Sequence, residues 1–192
     1  AGQPQLITQK GYDLMEVASA LQKSVRRGNE DEAMYWAVEL FQSGYAEYCW
    51  KRLRIMASED IGLAEPGLVA DLWALYEMHR EQAKKKDDAN EPQRLFLTHA
   101  VLLMCRARKS RLVDWTLIHY WRTHELTWRP IPDYAFDKHN QRGRQLGRGW
   151  GHFFDEGTRL SPMGDVHGEN EAKERARKAI EQGKPTQLFP DE

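Results

Sequence analysis

The sequence predicts an all-α protein of about seven helices stacked as hairpins. Three observations carry this. Apolar residues recur at spacings of three and four along most of the chain. Helix stop and start signals separate those runs: Gly28 before Asn29, Ser43-Gly44, and Gly62 ahead of Pro66. No stretch of useful length alternates apolar and polar residues as a half-buried strand would.

The first helix spans about Tyr12 to Arg27, with Leu14, Val17, Ala18, Leu21 and Val25 on one face. Gly28 stops it and Asn29 can cap the next, in which Ala33, Trp36, Ala37, Leu40 and Phe41 repeat. A third runs through AEYCWKRLRIMASED with Cys49, Leu53 and Met56 inward. A fourth begins near Pro66, a good first-turn residue, and carries Leu68, Leu72, Leu75 and Tyr76. It fades into REQAKKKDDANEP, a charged run that reads as a solvated, mobile connection. The fifth, PQRLFLTHAVLLMCRARKS, is nearly apolar in its middle and should be the central buried helix. The sixth holds Leu112, Trp115, Ile118, His119 and Trp121. His119 and His124, five apart, read as one packed and one exposed. TWRPIPDYAFD cannot be helical across its prolines. The segment KHNQRGRQLGRGWGHFFDEGTRL follows, and ENEAKERARKAIEQG closes as a polar surface helix or weakly docked tail. Residues 1–130 should form one helical domain. Residues 131–192 should add a connector, a Gly/Arg-rich helical segment and the polar helix, packed on the same domain.

With 41% apolar and 30% charged residues, the chain has the composition of an ordinary globular protein. A formal net charge of −1 selects no partner. Two cysteines, Cys49 and Cys105, are too few for a disulfide scaffold or a cysteine zinc site, and read as buried reduced thiols. No apolar run is long enough to span a membrane and no secretory pattern is present, so a cytoplasmic location without membrane partners is expected. The opening AGQPQ lacks Met and reads as a trimmed start. There is no phosphate-cradling G-x-x-x-x-G-K-[ST], no H-E-x-x-H, no G-x-S-x-G and no Cys/His metal spacing. No ATPase activity, cofactor, metal or catalytic residue is therefore expected.

The stretch SALQKSVRRGNEDEAMYWAVELFQSG, followed by RLRIMASEDIGLAEP, resembles the C-terminal helical region of the RarA/MgsA family. These are replication-associated recombination ATPases of the AAA+ class, related to the eukaryotic Werner-helicase-interacting protein. The resemblance covers about Tyr12 to Ala70, extends more weakly to ARKSR (Ala107 to Arg111), and stops by about Ile131. It implies a clamp-loader-collar-like helical region with a divergent C-terminal part, a stand-alone relative of the family's assembly domain without its ATPase module. It also implies a homo-oligomer, a tetramer if it follows the family, and DNA or a replication protein such as single-strand-binding protein as partner.

Glu59 and Asp60 pose a local puzzle. They sit in the last turn of the third helix, where the dipole disfavours carboxylates by about 0.3–1 kcal/mol. Lys23, Arg26 and Arg27 end the first helix, where cations suit the dipole. If the two helix ends meet, Arg26 or Arg27 can pair with Glu59 and Asp60. Gly62 would then take a left-handed position with Leu63 folded over the end. A metal or acid–base role for the two acids is the competing reading, but no His or third carboxylate lies nearby in sequence.

The segment from Lys138 to Arg159 holds the candidate site. If helical, it lines up His139, Gly143, Gly147 and Gly151 on one stripe and Arg144, Arg148 and His152 on the next. Each interior glycine costs about 0.8–1 kcal/mol relative to Ala, so something should offset them. One reading is close packing at Gly143, Gly147 and Gly151, with the arginines solvated or paired with Asp133, Asp137, Asp155 and Glu156. Another is contact with DNA or another anion through Lys138, His139, Arg142, Arg144, Arg148 and His152, with Trp150, Phe153 and Phe154 as stacking surface. The expected function is a non-catalytic oligomeric assembly and binding module of DNA replication, recombination or repair. The alternative is a small enzyme using Asp137, His139, Arg144 and His152 around the glycine face.

Overall fold

The computed structural model describes residues 6–84 and 91–183. Most of the charged run between the fourth and fifth helices (residues 85–90), the opening pentapeptide and the last nine residues lie outside them. The described residues are all-α, with one isolated bridge between Ile7 and Asp13 and no strand. The chain divides into two compact units, Ala1–Thr127 and Trp128–Glu192.

In the first unit, α1 (Leu14–Arg26) starts at Asp13, whose carboxylate accepts from the amides of Met15 and Glu16. Leu14, Val17, Leu21 and Val25 are buried. At about 1.5–3 kcal/mol for each fully buried aliphatic side chain, this face fixes the helix on the core. Gly28, at φ +66°, turns the chain, and a Cβ there would press on the Cys105 carbonyl. Asn29 then caps α2 (Glu30–Gln42). Helix α3 (Ala46–Met56) buries Cys49, Trp50, Leu53 and Met56. Helix α4 (Leu68–Ala83) follows, then α5 (Pro92–Arg106), which packs against α1, α2, α3 and α4. Burial pushes the thiols of Cys49 and Cys105 up, to about 12 and about 11, so both are inert.

Helix α3 does not simply stop. Residues Ala57–Ile61 widen into a π-turn, and Gly62 (φ +48°, ψ −120°) leads into a short 3-10 turn, Gly62–Ala64. Leu63 is exposed rather than folded over the helix end. Val113, from α6 (Leu112–Thr123), occupies that place: its Cγ2 lies 2.9 Å from where a Gly62 Cβ would be. Helix α6 packs on the π-turn through its first turn and buries no side chain, and both His119 and His124 are exposed.

In the second unit the Gly/Arg segment is not one helix. Helix α7 (Gln141–Gln145) ends at Gly147, φ +69°; Gly149 is extended; α8 (Trp150–His152) restarts and widens into a second π-turn, Phe153–Gly157. The glycine penalty explains the break, because the segment has no apolar face wide enough to outweigh it. Phe136, Gly143 and Phe154 are its buried residues among those described. Helix α9 (Glu169–Glu181) buries nothing; Arg177 ties it to Asp155 at 2.6 Å and lies over the Phe154 ring.

Candidate functional site

The puzzle of the two acids has a direct geometric answer. The end of α1 meets the π-turn after α3. Arg26 donates from Nε to Asp60 Oδ1 at 2.7 Å and from Nη2 to Glu59 Oε1 at 3.1 Å. A second guanidinium arrives from the loop before α6. Arg111 donates to Asp60 Oδ1 at 2.5 Å, contacts Glu59 Oε1 at 3.5 Å, and binds Asp114 one turn into its own helix. Gln22 bridges outward, donating to Glu59 and accepting from Arg52. Ser110 N donates to the Asp60 carbonyl, so backbone and side chain both anchor the entry to α6.

Asp60 is 1% exposed, while the two arginines and Glu59 keep partial access to water. Enclosing one carboxylate between two forked cations avoids the cost of an unpaired buried charge. The π-turn makes this possible: its extra residue turns Asp60 inward. Arg27 takes no part; its guanidinium donates to the Lys23 carbonyl at 2.9 Å. Of the two arginines that the sequence offers as partners, Arg26 is engaged and Arg27 is not, and the second partner, Arg111 of ARKSR, carries no local sign of the pairing.

Beside this clamp a cleft of about 690 Å³ opens between α3 and α6, lined by Lys51, Arg54, Ile55, Ser58, Glu59, Val113, Asp114 and Leu117. Glu59 and Asp114 are already engaged by arginine. Lys51 and Arg54 have no carboxylate partner among the described residues.

The candidates in the second unit divide by what they touch. Arg148 is an internal clamp: it donates to the carbonyls of Asp133 and Phe136 at 2.6 and 2.8 Å and forks onto the Asp133 carboxylate at 2.8 and 2.6 Å. Gly143 lies against backbone, where a Cβ would fall 1.8 Å from the Asp137 carbonyl oxygen. Gly147 and Gly151 face open space, so the three do not form one seam. Lys138 sits over the Trp150 ring at 3.7 Å and Arg142 over Phe136 at 4.3 Å, while Arg144 reaches the Lys138 carbonyl at 3.3 Å. His139 pairs with Asp137 at 3.0 Å and packs edge-on against Trp150 and Phe153. That side-chain hydrogen bond, with the His139 amide, lowers the Asp137 carboxyl below its usual range. The Nδ1 of His152 is buried and makes no hydrogen bond. Lys138, Arg142 and Arg144 thus keep cationic surface, while Arg148 is spent internally. Among the described residues no cluster of His, Cys, Asp and Glu could hold a metal ion, and no helix is long and apolar enough to cross a membrane.

Comparison with known proteins places the whole arrangement. The family model described as MgsA AAA+ ATPase C terminal matches residues 28–179. It runs through both units and past Ile131, where the resemblance carried by the motifs stops, so residues 131–179 fall within the family match. An ATPase WRNIP1 of Dictyostelium discoideum is 32% identical over 167 residues, 82% of this chain and 18% of that protein. A replication-associated recombination protein A of Bacillus subtilis is 29% identical over 150 residues, 74% of this chain and 34% of that protein. One of the same name from Coxiella burnetii is 39% identical over 72 residues, 35% of this chain and 16% of that protein. The chain thus spans between about a sixth and a third of the relatives it matches. With a family match across most of its length, the chain belongs to the MgsA-type AAA+ ATPase C-terminal family.

Proposed function

We propose that this chain is a helical assembly and binding module acting in DNA replication, recombination or repair. The observation that carries the reading is the family match over residues 28–179, joined by relatives named for replication-associated recombination. In this reading the chain self-associates, as a tetramer if it follows the family. The exposed apolar row of α6 supports that: Leu112, Trp115, Ile118 and Trp121 all face solvent, Trp121 80% exposed. DNA is contacted through Lys138, Arg142 and Arg144, none of which forms a salt bridge to a carboxylate among the described residues. The setting is the compartment that holds the DNA, the cytoplasm in a bacterial cell.

Light scattering and duplex-binding titrations on the full chain test both halves. Trp115→Asp with Trp121→Asp should yield monomer. Arg142→Ala with Arg144→Ala should leave assembly intact, weaken DNA binding and flatten its salt dependence by about one unit of slope per lost phosphate contact. A chain that stays monomeric at micromolar concentration removes the assembly half. Unaltered DNA affinity in the arginine variant removes the other.

A further inference from the structure

We propose that the cleft between α3 and α6 is a docking site for an acidic, amphipathic peptide segment of a protein partner. This goes beyond the assembly and DNA-binding reading and uses neither α6's outer row nor the second unit. Three features of the cleft argue for it. Its floor is apolar and accessible: Ile55 and Leu117 are half exposed across from each other, with Val113 between the two helices. An apolar floor of this kind favours an occupant with aliphatic anchors.

Charge selects the occupant further. Its two acidic lining residues, Glu59 and Asp114, are matched by Arg26 and Arg111. On the α3 side, Lys51 is exposed and makes no ion pair among the described residues, and Arg54 meets no carboxylate there: its guanidinium lies over the rings of Tyr76, 4.0 Å away, and Trp73, and donates to the Trp50 carbonyl. The cleft therefore carries two uncompensated positive charges beside an apolar floor. An acidic amphipathic segment satisfies both, whereas a basic one is repelled.

Length sets the size of the segment. Lys51, Arg54, Ile55 and Ser58 follow one another at i, i+3, i+4 and i+7 along one face, a span of about 10 Å. That matches about two turns of a docked helix, which presents its own anchors at the same spacing. The wall opposite is stiff, because Arg111 and Ser110 pin the start of α6 to Asp60. The groove is therefore formed before the partner arrives, which limits the ordering cost of binding.

The test uses the full chain and a fluorescein-labelled amphipathic peptide of about fifteen residues, with Leu at helical spacing and Glu on the flanks. Its twin carries Lys in place of Glu. Anisotropy should show saturable binding of the acidic peptide and none of the twin. Lys51→Glu and Leu117→Asp, both exposed positions, should each weaken it at least about ten-fold with an unchanged circular dichroism spectrum. Equal binding of both peptides, or unaltered affinity in both variants, overturns the proposal. So does displacement of the peptide by a DNA duplex whose own binding Lys51→Glu abolishes, since the occupant is then nucleic acid. Absence of peptide binding, with Leu117→Asp reducing oligomer size, makes the occupant a second copy and equally overturns it.

Discussion

The two units are held together by different physics. In the first, one continuous cluster of buried side chains runs from Leu14 through Trp50 and Leu72 to Cys105, and buried carboxylates come in at its edge, Asp60 in its arginine clamp and Glu39 under the Lys10 amide. In the second, two rings and a glycine are buried among the described residues, and local polar turns hold much of the rest. The Asp137 carboxylate accepts from the His139 amide, Asn140 caps α7, and Arg148 ties α8's approach to Asp133 and Phe136. The difference teaches where each unit tolerates change. An apolar cluster resists surface substitutions but not cavities. A fold of turns depends on a few backbone contacts and on arginine acting as a strut.

Predictions follow that break or sharpen this contrast. The largest effects belong to the first unit. Trp50→Ala should cost about 3–5 kcal/mol in urea unfolding, because the ring is fully enclosed between α3 and α4 and leaves a cavity. Asp60→Ala should cost less, about 1.5–3 kcal/mol, because both arginines lose their enclosed partner but keep Glu59 and, for Arg111, Asp114. Arg27→Ala should stay within about 0.5 kcal/mol. Reversing Glu59 and Asp60 to Lys should be rescued by Arg26→Glu with Arg111→Glu and not by Arg26→Glu with Arg27→Glu. If both rescues work equally, the clamp is not the one described.

The second unit should respond to glycine substitutions in a graded order rather than as one stripe. Gly143→Ala drives a methyl into the Asp137 backbone and should cost about 1–3 kcal/mol, read by hydrogen exchange confined to residues 137–148. Gly147→Ala should cost about 1 kcal/mol through its positive φ. Gly151→Ala, in open helical space, should be neutral or stabilising by up to about 1 kcal/mol. Equal penalties at all three would restore the continuous packing seam.

The smallest expected effect is in acid. His79, buried on α4 against Trp50 and Phe41, has its pKa lowered below 6.5 by burial. The folded state then holds fewer protons than the unfolded one. Its stability is complete above the ordinary histidine value and falls as pH drops below about 6.5. His79→Phe should flatten that part of the pH–stability curve. A curve that keeps its slope in His79→Phe assigns the acid sensitivity elsewhere.

Much of the first unit is legible in the sequence because burial there follows the helical period. Leu14, Val17, Leu21 and Val25 declare one face, and Gly28-Asn29 mark a stop and a cap by their own backbone preferences. The acid pair was legible for the opposite reason: two carboxylates at a helix C-terminus break a local rule, and the break pointed to tertiary partners. Arg111 was not, since it lies 51 residues from Asp60 and nothing local ties them. Trp50 also escaped, one position away from an inward Cys49. In the second unit the glycine penalty was visible, but four-residue spacing suggested a continuous helix. Isolated turn geometry at Gly147 and Gly149 decided against it, and such geometry leaves little periodic trace.

The position of Arg111 also bears on how the molecule can be divided. A fragment ending at Arg106 would contain every side chain of the apolar cluster and look self-sufficient by that measure. It would nonetheless leave an enclosed carboxylate with half of its countercharge and an unfilled space above Gly62. The smallest autonomous piece of the first unit therefore reaches at least to Asp114, and any hybrid joined to a relative should keep the π-turn and the ARKSR loop from the same parent.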